Sequence, residues 1–134
     1  MKKLLFFISV ILCVAVKSKG QSVTAGSLVG IWDQNVSNHA ATIIFDDTSR
    51  VRFSYKGRKG STKKYYYILN NAQTPAILTV DYKANHKKHR NEYLIEFIDK
   101  NTMRLQVLHK KDDRTHFNES EKENLITLNR RLDL

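Results

Sequence analysis

Over most of this chain apolar side chains recur at every second position in short runs, and that period of two limits the fold more than any other feature. A strand turns successive side chains to opposite faces, whereas a helix needs apolar spacings of three and four. Ala41, Ile43 and Phe45 obey the strand rule, followed by Val51, Phe53 and Tyr55, then Tyr65, Tyr67 and Leu69, then Leu78, Val80 and Tyr82. Later runs continue it through Tyr93, Ile95 and Phe97, through Met103, Leu105 and Val107, and through Ile126, Leu128 and Arg130. Polar breakers separate them: Asp46-Asp47-Thr48-Ser49, Lys56-Gly57-Arg58-Lys59-Gly60, Asn70-Asn71, the run 83–91 and Asp99-Lys100-Asn101. These are hairpin-loop compositions.

With a first strand expected over residues 28–34, the count comes to about eight strands with no helix between them. Sequential short connections make an antiparallel up-and-down arrangement the simplest topology. Closing the sheet into a barrel would remove its edges. The predicted fold class is therefore all-β, a single up-and-down antiparallel barrel. Pro75, the sole proline, falls at a strand start, where its missing N–H costs nothing. Residues 110–124 break the pattern, being charged and almost free of apolar side chains except Phe117, and are expected to form an exposed loop.

Ahead of these runs lies a different segment. Lys2 and Lys3 precede an apolar stretch over residues 4–16, followed by Lys17-Ser18-Lys19-Gly20. A charged start, a short apolar centre and a small-x-small exit match a secretory signal peptide better than a membrane-spanning helix. Residues 1–20 are thus read as the signal and 21–134 as one domain, exported to the periplasm or the extracellular space with no transmembrane span in the mature chain. Removing Lys2, Lys3, Lys17 and Lys19 takes the 23 basic residues to 19 against 13 acidic ones, and the net charge from +10 to +6. Such a balance favours anionic partners without specifying one.

The single cysteine, Cys13, sits within the apolar signal segment, so the mature domain is expected to hold by packing alone, without a disulfide or a thiol site. Val10-Ile11-Leu12-Cys13 is a superficial match to a lipobox, and lipid anchoring through Cys13 is the alternative to release. Leu12 disfavours it, because the position before an acylated cysteine normally carries a small residue.

Leu28-Val29-Gly30-Ile31-Trp32, opening an all-β domain that ends in Leu125-Ile126-Thr127-Leu128-Asn129-Arg130, resembles the lipocalin-like domains of the calycin superfamily, in particular the short secreted bacterial kind. The resemblance spans residues 28–131. It implies that Gly30 and Trp32 pack at the closed end of a barrel and that Arg130 lies across the indole. It departs from full lipocalins in length, in lacking their disulfide and C-terminal helix, and in Val80-Asp81-Tyr82, a faint counterpart of the family's second motif. Whatever the family, Trp32 also reads simply as a core aromatic.

Two constellations bear on function. Phe53, Tyr55, Tyr65, Tyr67, Tyr82, Tyr93 and Phe97 could line a pocket in the barrel or equally fill it, since an eight-stranded barrel has room for side chains or for one small ligand. Lys83, Lys87, Lys88 and Arg90, with His86 and His89 in the same predicted loop and Arg58, Lys59, Lys63 and Lys64 in another, are candidate anion-binding residues. The bland reading is a solvated rim. His86 and His89 lack carboxylate or cysteine partners and have cationic neighbours, so no metal site is expected. His39, His109 and His116 are scattered, and Asp46-Asp47 and Asp112-Asp113 read as turn residues rather than an acid/base pair. No nucleophile elbow, P-loop, dinucleotide fingerprint or zincin motif occurs, so neither enzyme activity nor a cofactor is expected. Nucleic acid is not the expected partner, there being no recognised binding motif. The glycosylation-like triplets at Asn35 and Asn118 are given no role. The sequence therefore points to an exported, non-enzymatic binding protein holding a small apolar or amphipathic ligand in its barrel. The alternative is an interaction module whose basic loops meet an anionic polymer or protein.

Overall fold

The structure, a computed structural model, describes residues 21–34, 41–55 and 64–132, with Tyr55 described by its backbone alone. The expected signal segment with Cys13, the Asn35 triplet, His39, Arg58, Lys59 and Lys63 lie outside the described residues. A short helix, α1 (Ala25–Leu28), leads into eight strands: β1 (Gly30–Asp33), β2 (Ala41–Phe45), β3 (Arg50–Tyr55), β4 (Tyr65–Asn70), β5 (Ala76–Ala84), β6 (Lys87–Asp99), β7 (Thr102–Leu108) and β8 (Leu125–Arg130). Each strand pairs antiparallel with the next, and β8 returns to β1 through Trp32↔Arg130 and Asp33↔Asn129. The barrel is closed, all-antiparallel and up-and-down.

The beginning of the domain corrects the sequence reading. Leu28 ends a helix instead of starting a strand, because Thr24 and Ser27 form a reciprocal capping box: Ser27 N donates to Thr24 Oγ1 at 3.1 Å and Thr24 N donates to Ser27 Oγ at 2.9 Å. The turn caps one barrel end. Leu28 is fully buried and Val23 nearly so, both within the main core.

The run 83–91, expected to be a loop, is mostly strand. Residues 76–84 and 87–95 stay in register to the tip, where Ala84 faces Lys87 across the two-residue turn Asn85-His86. Both turn residues have positive φ, 49° and 62°, the sign pattern of a type I′ turn whose twist suits a hairpin. The ladder to β7 stops at Glu92↔Leu108 and the ladder to β4 at Tyr66↔Asp81. Residues 82–91 therefore run beyond both neighbouring ladders as a two-stranded ribbon.

Inward positions follow the parity read from the sequence. Trp32, Phe45, Val51, Tyr67, Leu78, Ile95, Phe97, Met103 and Leu128 form a core at the α1 end, with exposures of 3% or less. Trp32 stacks on Phe97 at 5.7 Å between centroids, and Phe45 meets Tyr67 edge-on at 5.1 Å. Such pairs add about 0.5–1.5 kcal/mol beyond area burial.

Residues 109–124 form the expected loop, but it is strapped to the outer wall. Buried Gln106 both donates to Asn118 O at 2.9 Å and accepts from Asn118 N at 2.8 Å. Arg104 pairs with Glu96 and Glu119 while lying 4.2 Å over the Phe117 ring, and Arg114 forms a bidentate pair with Glu92. Along this wall the register row Ile77, Leu94 and Gln106 is buried despite its outward parity.

Candidate functional site

The two ends of the barrel are built differently. At the α1 end Trp32 is fully buried, its indole N–H donating to Leu28 O at 2.8 Å, and the Arg130 guanidinium carbon stands 4.2 Å from the ring centroid. Arg130 also donates to Val29 O at 2.9 Å, Ser27 O at 2.7 Å and Lys100 O at 3.3 Å, tying the helix end, the β6–β7 turn and the last strand together. Gly30 has φ +136°, and a Cβ there would stand 3.0 Å from Arg130 Nη1. Only glycine suits that approach. Gly30, Trp32 and Arg130 are thus brought together as a plug that closes this end.

Toward the opposite end the inward side chains become progressively exposed. On β6, Phe97 and Ile95 are buried, Tyr93 is half-buried, and Asn91 and His89 are exposed. Here the rings form a connected series across four strands. Phe53 tilts against Tyr65 at 5.8 Å, Tyr65 meets Tyr82 edge-on at 5.6 Å, and Tyr82 stacks on His89 at 5.1 Å. Of the candidate lining residues, Phe53, Tyr65, Tyr82 and Tyr93 belong to this looser half. Tyr67 and Phe97 belong to the packed half, with Tyr67 Oη donating to Asp47 O at 2.9 Å. Burial pushes the Tyr67 phenol up to about 12, with the nearby Asp47 carboxylate adding to the shift.

A cleft of about 760 Å³ opens beside the ring series. Its described lining comes from β5, β6 and the start of β4 with the residue ahead of it, in three triplets: Lys64-Tyr65-Tyr66, Asp81-Tyr82-Lys83 and Lys88-His89-Arg90. Alternation separates them into the inward ring row Tyr65, Tyr82 and His89 and the outward rows Lys64, Lys83 and Lys88, and Tyr66, Asp81 and Arg90. Tyr66 is 67% exposed, a large aromatic face left in water.

The candidate cations differ in what holds them. Arg90 donates to both oxygens of Asp81, at 2.7 and 3.0 Å, so its charge is matched within the ribbon. The Arg90 guanidinium, with Lys88 adding to its field, holds the Asp81 carboxyl below its ordinary range. Arg90, one of the candidate anion-binding residues, is thus already engaged by a carboxylate. Lys83 and Lys88 face each other directly across the ladder, and neither forms an ion pair among the described residues. Lys87 has the opposite parity and faces Ala84. Apart from Lys64, which precedes β4, the charged residues of this region are strand residues, not loop residues, and strand geometry fixes which of them share a face.

The sequence placed His89 and Lys64 in the basic constellation and not among the candidate barrel-lining residues. For His89 the signal was present, since it is in phase with Asn91, Tyr93, Ile95 and Phe97. Its cationic neighbours Lys88 and Arg90 hid it. A second depression of about 270 Å³ lies under the strap, lined by Gln106, Asp112, Asp113, His116, Phe117, Asn118 and Glu121. Its acidic groups serve the loop itself: Asp112 accepts from His109 N and Asp113 from Thr115 N. No group of metal-ligating side chains occurs among the described residues. No helix among them is long and apolar enough to cross a membrane. No protein-family model, curated protein or solved structure matches the chain.

Proposed function

We propose that this protein is an exported, lipocalin-like, non-enzymatic binding protein that captures a small amphipathic ligand at the open end of its barrel. The observation that carries this reading is the series Phe53, Tyr65, Tyr82 and His89 beside a cleft of about 760 Å³. Ligand sites are concave, mostly apolar and supplied with a few polar anchors. The cleft offers tyrosine and histidine faces and a lysine rim. The plugged opposite end supports a single-mouthed cup, and the Gly30, Trp32 and Arg130 arrangement agrees with what the lipocalin resemblance implies.

A binding role is also supported by how the ionisable groups are engaged. Asp33, Asp46, Asp47, Asp81, Glu92 and Glu96 each pair with an arginine, and His116 is tied to Asp113 and Thr115. Groups committed in this way are poorly disposed for proton transfer.

The test is a fluorescence titration with the uncharged amide of dansyl-labelled undecanoic acid. Saturable binding that persists from low to high salt is expected, because buried apolar area is not screened. Tyr65→Ala and Tyr82→Ala should each weaken it by roughly tenfold, the scale of an aromatic face lost from a half-open site. Lack of saturable binding by this probe and by its parent acid would end the proposal. The alternative of an interaction module for an anionic polymer or protein predicts the reverse: retention on a heparin matrix that salt abolishes, insensitive to either tyrosine.

A further inference from the structure

We infer that Lys64, Lys83 and Lys88 form an anion clamp that makes the mouth selective for amphipathic ligands with an acidic head group, a carboxylate, sulfate or phosphate. The inference rests on the proposed ligand-binding role of the mouth and specifies the chemical class of ligand.

Register supplies the first part of the argument. Lys83↔Lys88 is a direct cross-strand pair, and continuing the β4–β5 register by two positions from Tyr66↔Asp81 puts Lys64 opposite Lys83. Lys83 and Lys88 therefore stand side by side at the strand spacing of about 4.8 Å, and Lys64, immediately ahead of β4 and beyond the last β4–β5 pair, lines the same cleft. Like charges directly opposite destabilise a ladder. Several outward arginines are matched across or along the sheet: Arg52 with Asp46, Arg90 with Asp81, Arg104 with Glu96, Arg114 with Glu92 and Arg131 with Asp33. In the clamp row no described carboxylate forms an ion pair with Lys64, Lys83 or Lys88; Asp46 feels the Lys64 charge but is held by Arg52. The neighbouring row does hold a carboxylate, Asp81, but Arg90 occupies both of its oxygens.

Position supplies the second part. All three lysines line the same cleft as Tyr65, Tyr82 and His89. Although alternation turns the rings and the lysines to opposite faces of the strands, both border the cleft, so a ligand lodged there can meet the rings with its apolar body and the lysine row with its head. Lysine suits this use, since three rotatable donors on a flexible stem can follow head groups of different shape. Arg90, with its guanidinium fixed by Asp81, cannot. The sources of the acidic group, a free fatty acid, an alkyl sulfate or a lysophospholipid, share one requirement at the clamp and are separated by titrating each.

The experiment compares dansyl-labelled undecanoic acid with its amide on the full chain, the Lys83→Gln/Lys88→Gln variant and the Lys100→Gln control, whose lysine lies at the β6–β7 turn. The acid should bind roughly tenfold more tightly than the amide at low salt. The preference should shrink as salt rises, fall to near parity in the double variant and stay intact in the control. Both replaced lysines are exposed, so the fold is expected to persist, and unchanged amide affinity verifies it. Equal binding of acid and amide by the unaltered protein, or an acid preference that survives the double substitution, would overturn the clamp while leaving mouth binding intact. Absence of binding by both probes would overturn the underlying reading as well.

Discussion

Arg130 does three jobs with one planar group. It covers the Trp32 ring, satisfies carbonyls at Ser27, Val29 and Lys100, and fills the space a side chain at Gly30 would need. Its contribution is more than cation–π attraction, worth about 0.5–2 kcal/mol as burial increases, because each carbonyl it leaves would have to find another donor. Gly30→Ala should destabilise the fold by about 1–3 kcal/mol in urea unfolding, since the new Cβ meets both a positive φ and an immobilised guanidinium. A variant as stable as the parent would show that the plug relaxes freely. The tip of the ribbon offers the opposite case. His86 holds φ 62° without being glycine, so His86→Gly should raise stability by about 0.5–1 kcal/mol, measured by the same unfolding curve. Asn85 tolerates its φ of 49° better, its side chain being suited to that region.

At the scale of elements, the strap over residues 109–124 and the β5–β6 ribbon both depart from what local composition suggests. The strap has too little apolar surface to fold as a helix, yet it is anchored, because Gln106, Arg104 and Glu92 project outward from β6 and β7 and meet it. Gln106→Ala would leave the N–H and C=O of Asn118 unpaired and expose the row containing Leu94. The expected cost is about 2–3 kcal/mol in urea unfolding, together with faster proteolytic cleavage within residues 109–124. Equal cleavage rates would mean that the remaining ion pairs hold the strap alone. In the ribbon, alternation decides which charges share a face: the same six-residue stretch Lys83 to Lys88 puts Lys83 and Lys88 on one face and Lys87 on the other.

For the whole molecule, pH acts on the fold from both ends. On the acid side, Asp33, Asp46, Asp81 and Glu92 are held below their ordinary range chiefly by hydrogen bonds from Arg131, Arg52, Arg90 and Arg114. Asp47 is lowered to about 2, first by the Ser49 backbone N–H and then by its hydroxyl. Depressed carboxyls stabilise the fold above their unfolded-state values and lose that contribution as pH falls through the folded ones. Stability should therefore drop from about pH 4 toward pH 2, the model-peptide range marking the upper bound. On the alkaline side the sign reverses. Tyr67, raised to about 12, stabilises the fold below its unfolded-state value near 10 and loses that contribution as pH climbs between them. The urea midpoint should fall across this alkaline interval, and Tyr67→Phe should flatten the fall while lowering stability at neutral pH. An identical alkaline limb in the variant would assign the loss to other groups.

The alternation from Ala41 to Arg130 determined by itself that the chain forms strands, how many, in which order they pair and which side chains face inward, since period two is a local property of the backbone and short polar connections leave neighbouring strands little choice. The roles of the plug residues Gly30, Trp32 and Arg130 were implied by the lipocalin resemblance, the alternation adding only that Arg130 is in phase with Ile126 and Leu128. Only the tertiary structure decided where strands end and loops begin in the run 83–91, because a polar ribbon outside the barrel lacks the buried face that marks a strand in sequence. It also decided which charges are neutralised. Arg90 finds Asp81 across a ladder, and Lys83 finds Lys88, through a register that depends on a two-residue turn. Closure set the last distinction, between rings locked in the core, such as Phe97 and Tyr67, and rings left open at the mouth, such as Tyr65 and Tyr82. Their residue types and spacing are alike, and only depth along the barrel axis separates them.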